Sequence, residues 1–199
     1  MAKLKVKLQA HHHILIHNDL ANVAHRFKTT VDKRLELEDR EGISLEIMAA
    51  LAFIAFTTEA RLNFIGFKIF GDKWGERENP YEKVRNLCKV LNLSCDFGKR
   101  PFKTMEDVQR LRNGMAHGKP IELQVDETIE VDEDDLEELG AIRPPEWEGL
   151  VTADFLNLAY EDCDRIWKTF LNAAGLTVFD TLTRAQVSTS LIERISGDA

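Results

Sequence analysis

One segment of this 199-residue chain, 44–70, constrains the fold more than any other. Its first half is apolar nearly all round a helix, which is typical of the central helix of a bundle. Ser44, at its start, is a residue type that caps helix N-termini. The most apolar stretch, 47–56, is about half as long as a bilayer span requires. The N-terminus, where lysines alternate with apolar residues, does not resemble a signal peptide. We therefore expect a soluble, cytoplasmic helical bundle without a membrane span.

Apolar residues at steps of three and four predict further helices on both sides of this segment. In Asn79-Pro80-Tyr81-Glu82, Asn can cap a helix, Pro suits the first helical position, and Glu can reach back to the cap. Thr104 and Thr152 are candidate caps of two later helices. The predicted helices cover about 18–40, 44–70, 80–93, 104–117, 152–174 and 183–195.

Two further patterns are typical of strands. Near the N-terminus, Lys3, Lys5 and Lys7 alternate with apolar residues. A second alternation over 121–131 could form a hairpin with an acidic polar face. Because opposite charges across a strand pair are favourable, we expect the N-terminal strand to pair with this hairpin. The fold class is mainly α, a helical bundle with a small β appendage. The single domain 1–199 is predicted to hold a strand over 1–10, a four-helix part over 14–118, a hairpin over 121–131, an acidic loop over 132–148 and C-terminal helices over 152–196.

The formal charge of −8 is unevenly distributed. The segment 126–138 holds nine of the 34 acids and no base, so that the rest of the chain is close to neutral. This balance excludes a basic protein that coats nucleic acid non-specifically, but not a local RNA site. The acidic segment itself has two interpretations, a solvated loop or a mimic of nucleic acid that covers a binding cleft.

Several common sites are absent from the sequence. It contains no phosphate-binding Gly-rich motif, no nucleophile elbow and no Cys-x-x-Cys pair. The three cysteines are therefore expected to be free thiols. His13 and His17 have a spacing that could share a metal on a helix, but a third ligand is not evident. We expect a solvated polar start of the helix there, with no metal and no cofactor.

The lone His117 stands at the end of the helix predicted over 104–117. At about 100° per residue, Met105, Val108, Leu111 and Met115 cluster on one side, which is the core face. Glu106, Arg110, Asn113 and His117 form a stripe on the opposite side, and Arg112 lies at the edge of the core face. His117 should therefore face solvent, a loop or a partner chain. On spacing alone it could also be an exposed histidine stabilised by the helix dipole.

The sequence around this helix resembles the HEPN superfamily. Arg112-Asn113-x-x-x-His117 is similar to its Arg-x4–6-His signature, with the polar residue that often follows the Arg. Glu59-Ala-Arg-Leu-Asn63 resembles the second helix of these proteins, which bears Glu and Asn. Trp74, followed by Tyr81-Glu-Lys-Val, resembles the approach to their third helix, and Pro120 after the His is also common. The resemblance covers about 20–120, plus helical packing to 174.

The resemblance implies a homodimer that cleaves RNA without a metal at a cleft where the two motifs meet. His117 would be the general acid or base, since imidazole titrates near neutrality. Arg112 would hold the charge on the phosphorane. Asn113 would orient the imidazole or the phosphate. Glu59 would hold Arg112 in place, or it is a surface acid that pairs with nothing. The product would carry a 2′,3′-cyclic phosphate, and the setting would be a toxin or phage-defence system.

Cations close to the motif in sequence could attract the RNA backbone, or they are ordinary surface charges. These cations are Lys99, Arg100, Lys103, Arg110 and Lys119. Some toxins of the superfamily carry a Tyr two residues after the His, which a partner antitoxin modifies. Because Lys119 holds that position here, silencing through that tyrosine is not expected, although another antitoxin or regulatory protein could still act on the chain.

Two alternatives stay open at this point. The chain could be a catalytically silent HEPN-like module that binds RNA, a nucleotide or a protein partner, since many domains keep a fold without a reaction. It could also be a structural dimerisation domain in which Arg112 and His117 merely face solvent.

Overall fold

The structure is a computed structural model that describes residues 3–118, 120, 122, 124, 128, 130–132 and 146–195. Within these residues it is mainly helical with one small antiparallel sheet, which confirms the predicted fold class. The regular elements are β1 (Lys3–His13), α1 (Ile16–Glu36), α2 (Ile43–Phe70), α3 (Pro80–Val90), α4 (Phe102–Ala116), α5 (Ala153–Ala173) and β2 (Arg184–Ile195). Short 3-10 turns cover Gly71–Lys73, Glu146–Leu150 and Val178–Thr181.

Helix α2 is the centre of the bundle, as its apolar sequence predicts. It contacts α1, α3, α4 and α5. Ala50, Leu51 and Ile65 have no exposed surface, and Ile54 and Leu62 are almost as deeply buried. A helix surrounded on several sides must be apolar on several sides, and this accounts for its weak amphipathicity.

By length and composition alone, the segment Ile43–Lys73 could also cross a membrane. Buried core helices of water-soluble proteins pass the same criterion, so that this observation is weak. In the structure, 39% of its most apolar window is buried inside the chain.

Local signals placed two helix starts correctly. The side chain of Asn79 accepts a 2.9 Å hydrogen bond from the backbone N–H of Tyr81, and Pro80 is the first residue of α3. Thr152 caps α5 by accepting from the backbone N–H of Phe155 at 3.2 Å. Glu82 does not complete a capping box in α3, because its carboxylate accepts from Arg85 instead.

Three other helix boundaries differ from the prediction. Helix α1 spans Ile16–Glu36, so that it starts earlier and ends earlier than 18–40. Helix α2 begins after Gly42, which adopts a positive φ of 63°, and Ser44 makes no capping bond. Helix α4 begins at Phe102, two residues before the predicted cap, and Thr104 caps nothing because its hydroxyl donates to a buried carboxylate in α5.

The helix predicted over 183–195 is wrong, since this segment is strand β2. Val187, Leu191 and Ile195 recur at a step of four, which fits a helix, but Ala185, Val187, Thr189 and Leu191 also alternate. The run Ser188-Thr189-Ser190 and the β-branched residues of the segment favour the strand.

The predicted partner of the N-terminal strand is also wrong. Strand β1, which runs on to His13, pairs antiparallel with β2 from Lys3↔Ile195 to His13↔Arg184, with a bulge between Lys5 and Val6. The hairpin prediction over 121–131 falls largely outside the described residues, and the positions described there (122, 124, 128, 130 and 131) are not in strands. Most of the predicted acidic loop over 132–148 also lies outside the described residues. Its end forms part of a 3-10 turn at Glu146–Leu150.

Candidate functional site at the end of helix α4

Helix α4 presents two different faces, as its sequence predicts. Met105, Val108 and Leu111 are buried in the core, with at most 1% of their surface exposed. On the opposite side, Asn113 and His117 are exposed. Gln109 is buried and donates a 3.1 Å hydrogen bond to the carbonyl oxygen of Ala55, which fixes α4 against α2. The motif therefore stands on a helix that packs firmly against α2 and whose polar stripe faces away from the chain's own core.

Arg112 lies at the boundary between these faces, with 28% of its side chain exposed. Its Nη1 donates a 2.8 Å hydrogen bond to Oδ1 of the neighbouring Asn113. Its Nη2 lies 3.7 Å from Oε2 of Glu59, too far for a hydrogen bond but within ion-pair range. Its Nε is buried and has no hydrogen-bond partner among the described residues. The guanidinium is thus oriented by neighbours on two helices while part of it stays accessible.

The floor of this arrangement is formed by α2. The guanidinium carbon of Arg112 lies 5.1 Å from the centre of the Phe56 ring, within the range of a cation–π interaction. Phe56 and Glu59 are three residues apart and so share one face of α2. Glu59 therefore does not stand unpaired on the helix surface. Of the two interpretations of this acid, the structure shows the one in which it contacts Arg112.

Glu59 has a second cationic partner that the sequence did not single out. Nζ of Lys83, in α3, donates a 3.0 Å hydrogen bond to Oε1 of Glu59. The Lys83 side chain has no exposed surface, whereas that of Glu59 is 26% exposed. The spacing offered a signal, because Lys83 is one turn before Leu87 and beside Val84, both fully buried. The carboxylate of Glu59 thus joins three helices through Lys83 and Arg112.

His117 is the C-terminal cap of α4 and is exposed. Its backbone N–H donates a 3.0 Å hydrogen bond to the carbonyl oxygen of Asn113. Arg112 and His117 are five residues apart, which separates them by about 140° around the helix and about 7.5 Å along it.

The cations predicted to attract RNA are paired with acids. Lys99 lies 3.7 Å from Asp96. The other pairs are Lys103 with Glu106 at 3.1 Å and with Asp107 at 2.9 Å, and Arg110 with Asp107 at 3.0 Å. These pairs leave little local positive charge. Lys119 lies outside the described residues.

Arg100 has a different partner and a different environment. It donates two hydrogen bonds, of 2.7 and 3.1 Å, to Asp162 of α5, whose carboxylate is completely buried. The Thr104 hydroxyl donates to the same carboxylate at 2.7 Å. Burial raises the pKa of Asp162, but these hydrogen bonds outweigh it and hold the pKa below its usual value. Arg100 therefore ties the start of α4 to α5.

His17 is not the solvated residue that the sequence suggested. It is 3% exposed, and its ring lies 4.8 Å from that of Phe64 and 5.4 Å from that of Trp167. Burial, assisted by the charge of Arg61, lowers its pKa to about 4. His13 lies at the end of β1 and not on the helix with His17. Among the described residues, no three His, Cys, Asp or Glu side chains form a group that could hold a metal ion.

The segments quoted for the family resemblance meet in the structure. Trp74 Nε1 donates a 3.1 Å hydrogen bond to Oδ1 of Asn63, and the Tyr81 hydroxyl donates at 3.4 Å to the carbonyl oxygen of Glu106. These bonds join α2 to the chain after it and α3 to α4. In comparisons with known proteins, no family model, no curated protein and no solved structure matches this chain.

Proposed function

We propose that this chain is a metal-independent endoribonuclease of the HEPN type. The observation that carries the proposal is the fixed orientation of Arg112, by Glu59, Asn113 and Phe56, on the same helix end as an exposed His117. An arginine that grips phosphate and a histidine that titrates near neutrality are the two groups that RNA cleavage at the 2′-hydroxyl needs.

The proposed reaction is an internal phosphoryl transfer. The 2′-oxygen of the ribose attacks the adjacent phosphorus as its proton passes to a neutral imidazole. The bond from phosphorus to the 5′-oxygen breaks, and that oxygen takes a proton from an imidazolium. Arg112 stabilises the charge that develops on the phosphorane oxygens. The products are a 2′,3′-cyclic phosphate and a 5′-hydroxyl end.

A homodimer would bring a neutral and a protonated imidazole into one cleft. Two copies of His117, brought together across a two-fold axis, could act as base and acid in the same step. The exposure of Asn113 and His117 supports this arrangement, because among the described residues neither their own helix nor the core covers them. We place the activity in the cytoplasm, in a toxin or phage-defence setting, with control by a regulatory protein that does not act through a tyrosine at position 119.

A silent RNA-binding module is the second candidate, and one observation favours it. Each described cation near the motif has an acidic partner, and Nη1 of Arg112 already bonds Asn113. Long-range attraction of RNA would then be weak, and a bound phosphate would have to displace the Asn113 amide from Arg112.

The test compares an RNA with the DNA of the same sequence, incubated with the purified protein in excess EDTA. The proposal expects cleavage of the RNA alone, with 2′,3′-cyclic phosphate ends. An RNA with a single 2′-deoxy residue at the mapped cleavage site is the matched control and should resist cleavage there. Binding of RNA without any cleavage would favour the silent module. Cleavage of the DNA would contradict 2′-hydroxyl attack.

A further inference from the structure

The two-stranded ribbon of β1 and β2 stands apart from the helical core. Every residue from Lys3 to His12 and from Arg184 to Ile195 is exposed. An isolated two-stranded ribbon is marginally stable in water unless a further strand or a packed apolar face supports it. The ribbon therefore lacks, within the described part of its own chain, the cover that such an element needs.

The strand register sorts the ribbon into two unlike faces. Residues directly opposite each other in an antiparallel pair point to the same side, and the side alternates along each strand. One face, here called the apolar face, holds Leu4, Val6, Leu8, Ala10, Val187, Thr189, Leu191 and Arg194. The other, here called the lysine face, holds Lys3, Lys5, Lys7, Gln9, Ser188, Ser190 and Glu193.

The apolar face is open to solvent. Its five large side chains, those of Leu4, Val6, Leu8, Val187 and Leu191, are between 47% and 63% exposed. Twelve of the eighteen exposed large hydrophobic residues in the described part of the chain lie on the ribbon or at its base. Monomeric soluble proteins rarely expose so many large apolar side chains in one region of the surface.

We propose that the apolar face packs against the same face of a second copy of this chain. The face is self-complementary in chemistry, as a two-fold interface requires, because from Val6 to Ala10 and from Val187 to Leu191 it carries no charge. Its one charged residue, Arg194, lies at the tip of the ribbon, opposite Leu4. Face-to-face packing also leaves both lysine faces outward and apart. Edge-to-edge pairing through β1 would instead bring Lys3, Lys5 and Lys7 of the two copies together.

The available area is of the right size. An 11-residue strand at about 3.4 Å per residue is about 37 Å long, so that a two-stranded face offers on the order of 400 Å² per copy. A specific interface needs about 1,000 Å² in total. Exposed hydrophobic residues in the segments next to the ribbon offer further apolar surface for the remainder. They are Ile14, Ile16, Val178, Phe179 and Leu182.

This inference does not rest on the proposed ribonuclease function, and its test leaves the α4 motif untouched. Thr189 and Ser190 are adjacent but lie on opposite faces of the ribbon. We would place a single cysteine at each in turn (Thr189→Cys and Ser190→Cys) and treat the full chain with a short bifunctional maleimide. The proposal expects covalent dimers with Thr189→Cys, and little beyond the wild-type background with Ser190→Cys. Equal cross-linking of the two variants, or none, would overturn it.

A second measurement uses charge to break the interface. The double variant Val6→Lys/Leu8→Lys should halve the molar mass measured by light scattering, whereas Lys5→Thr/Lys7→Thr on the lysine face should leave it unchanged. Far-UV circular dichroism checks that the helical bundle is intact in both variants. An unchanged mass in the apolar-face variant, together with equal or absent cross-linking of Thr189→Cys and Ser190→Cys, overturns the proposal and leaves the α4 interface to account for any dimer. A monomeric wild type also overturns it, including one whose ribbon binds phosphatidylcholine vesicles, which would assign the face to a lipid surface.

Discussion

The buried ammonium of Lys83 donates a 3.0 Å hydrogen bond to Glu59, the same carboxylate that lies 3.7 Å from Arg112. A fully buried cation requires a partner, because the desolvation of an unpaired charge is costly. Glu59 is therefore needed by the fold and also orients the arginine of the candidate site. Substitutions at its two partners separate these roles.

Removal of the acid should be more harmful than removal of the buried base. Glu59→Ala leaves the Lys83 ammonium buried and unpaired, and should lower the free energy of unfolding by about 2 to 3 kcal/mol. Lys83→Met removes the charge and keeps the aliphatic chain, so that its cost should be less than half as large. Urea unfolding of the two variants measures both values. Equal destabilisation would mean that Lys83 does not depend on Glu59.

Arg100 should behave as a structural residue and not as a surface contact for RNA. Among the described residues, Arg100→Ala leaves the buried Asp162 with Thr104 as its hydrogen-bond donor and Arg165 at 3.9 Å, and should cost about 2 kcal/mol of stability. Lys99→Ala is the matched control, because the Lys99 side chain is 81% exposed and surface pairs contribute little. Thermal unfolding of both variants tests this. If Arg100→Ala were as stable as Lys99→Ala, the tie to α5 would not stabilise the fold.

The burial of His17 predicts a pH dependence of stability. Its pKa is about 4 in the folded protein and 6.5 without burial. Between pH 4 and pH 6.5 the unfolded chain binds more protons than the folded chain. The free energy of unfolding is therefore highest above about pH 6.5, decreases as the pH falls from 6.5 to 4, and changes little below that. A shift from 6.5 to about 4 corresponds to a loss of about 3 kcal/mol. His17→Phe, which suits the surrounding aromatic rings, should lose less stability than wild type over that range in urea titrations. An identical loss in both proteins would assign the effect to other groups.

The planar guanidinium of Arg112, and not only its positive charge, should be required for RNA cleavage. Arg112→Lys keeps a cation but loses the paired donors and the planar group that lies over Phe56. We expect RNA cleavage to slow by about 100-fold or more, with little change in helical content. Arg26→Lys, at an exposed position of α1, is the control and should retain full activity. Full activity in Arg112→Lys would show that charge alone suffices.

The sequence predicted correctly those parts of the fold that depend on residues close together in the chain. The start of α3 depends on Asn79 and Pro80, which act within one turn. The outward stripe of α4 follows from helix geometry and the positions of Leu111 and its apolar neighbours.

The errors concern relations between distant residues. The segment 183–195 fits both a helix and a strand, and only its pairing with β1 at the other end of the chain decides between them. A charge argument chose the wrong partner for β1, because each opposite-charge pair contributes too little to fix strand order. Lys83 and Asp162 were missed since charged residues are rarely fully buried unless paired, and their partners, Glu59 and Arg100, come from other helices.

The rate of RNA cleavage by His117→Ala, measured in excess EDTA beside wild type and His25→Ala, tests the central claim most directly. His25 is also an exposed histidine, on α1, and bonds only Tyr160 among the described residues. The account predicts that His117→Ala loses cleavage by at least about 100-fold while it keeps its fold and its affinity for RNA. His25→Ala should cleave like wild type. Wild-type cleavage by His117→Ala would contradict the assignment of this histidine to the reaction.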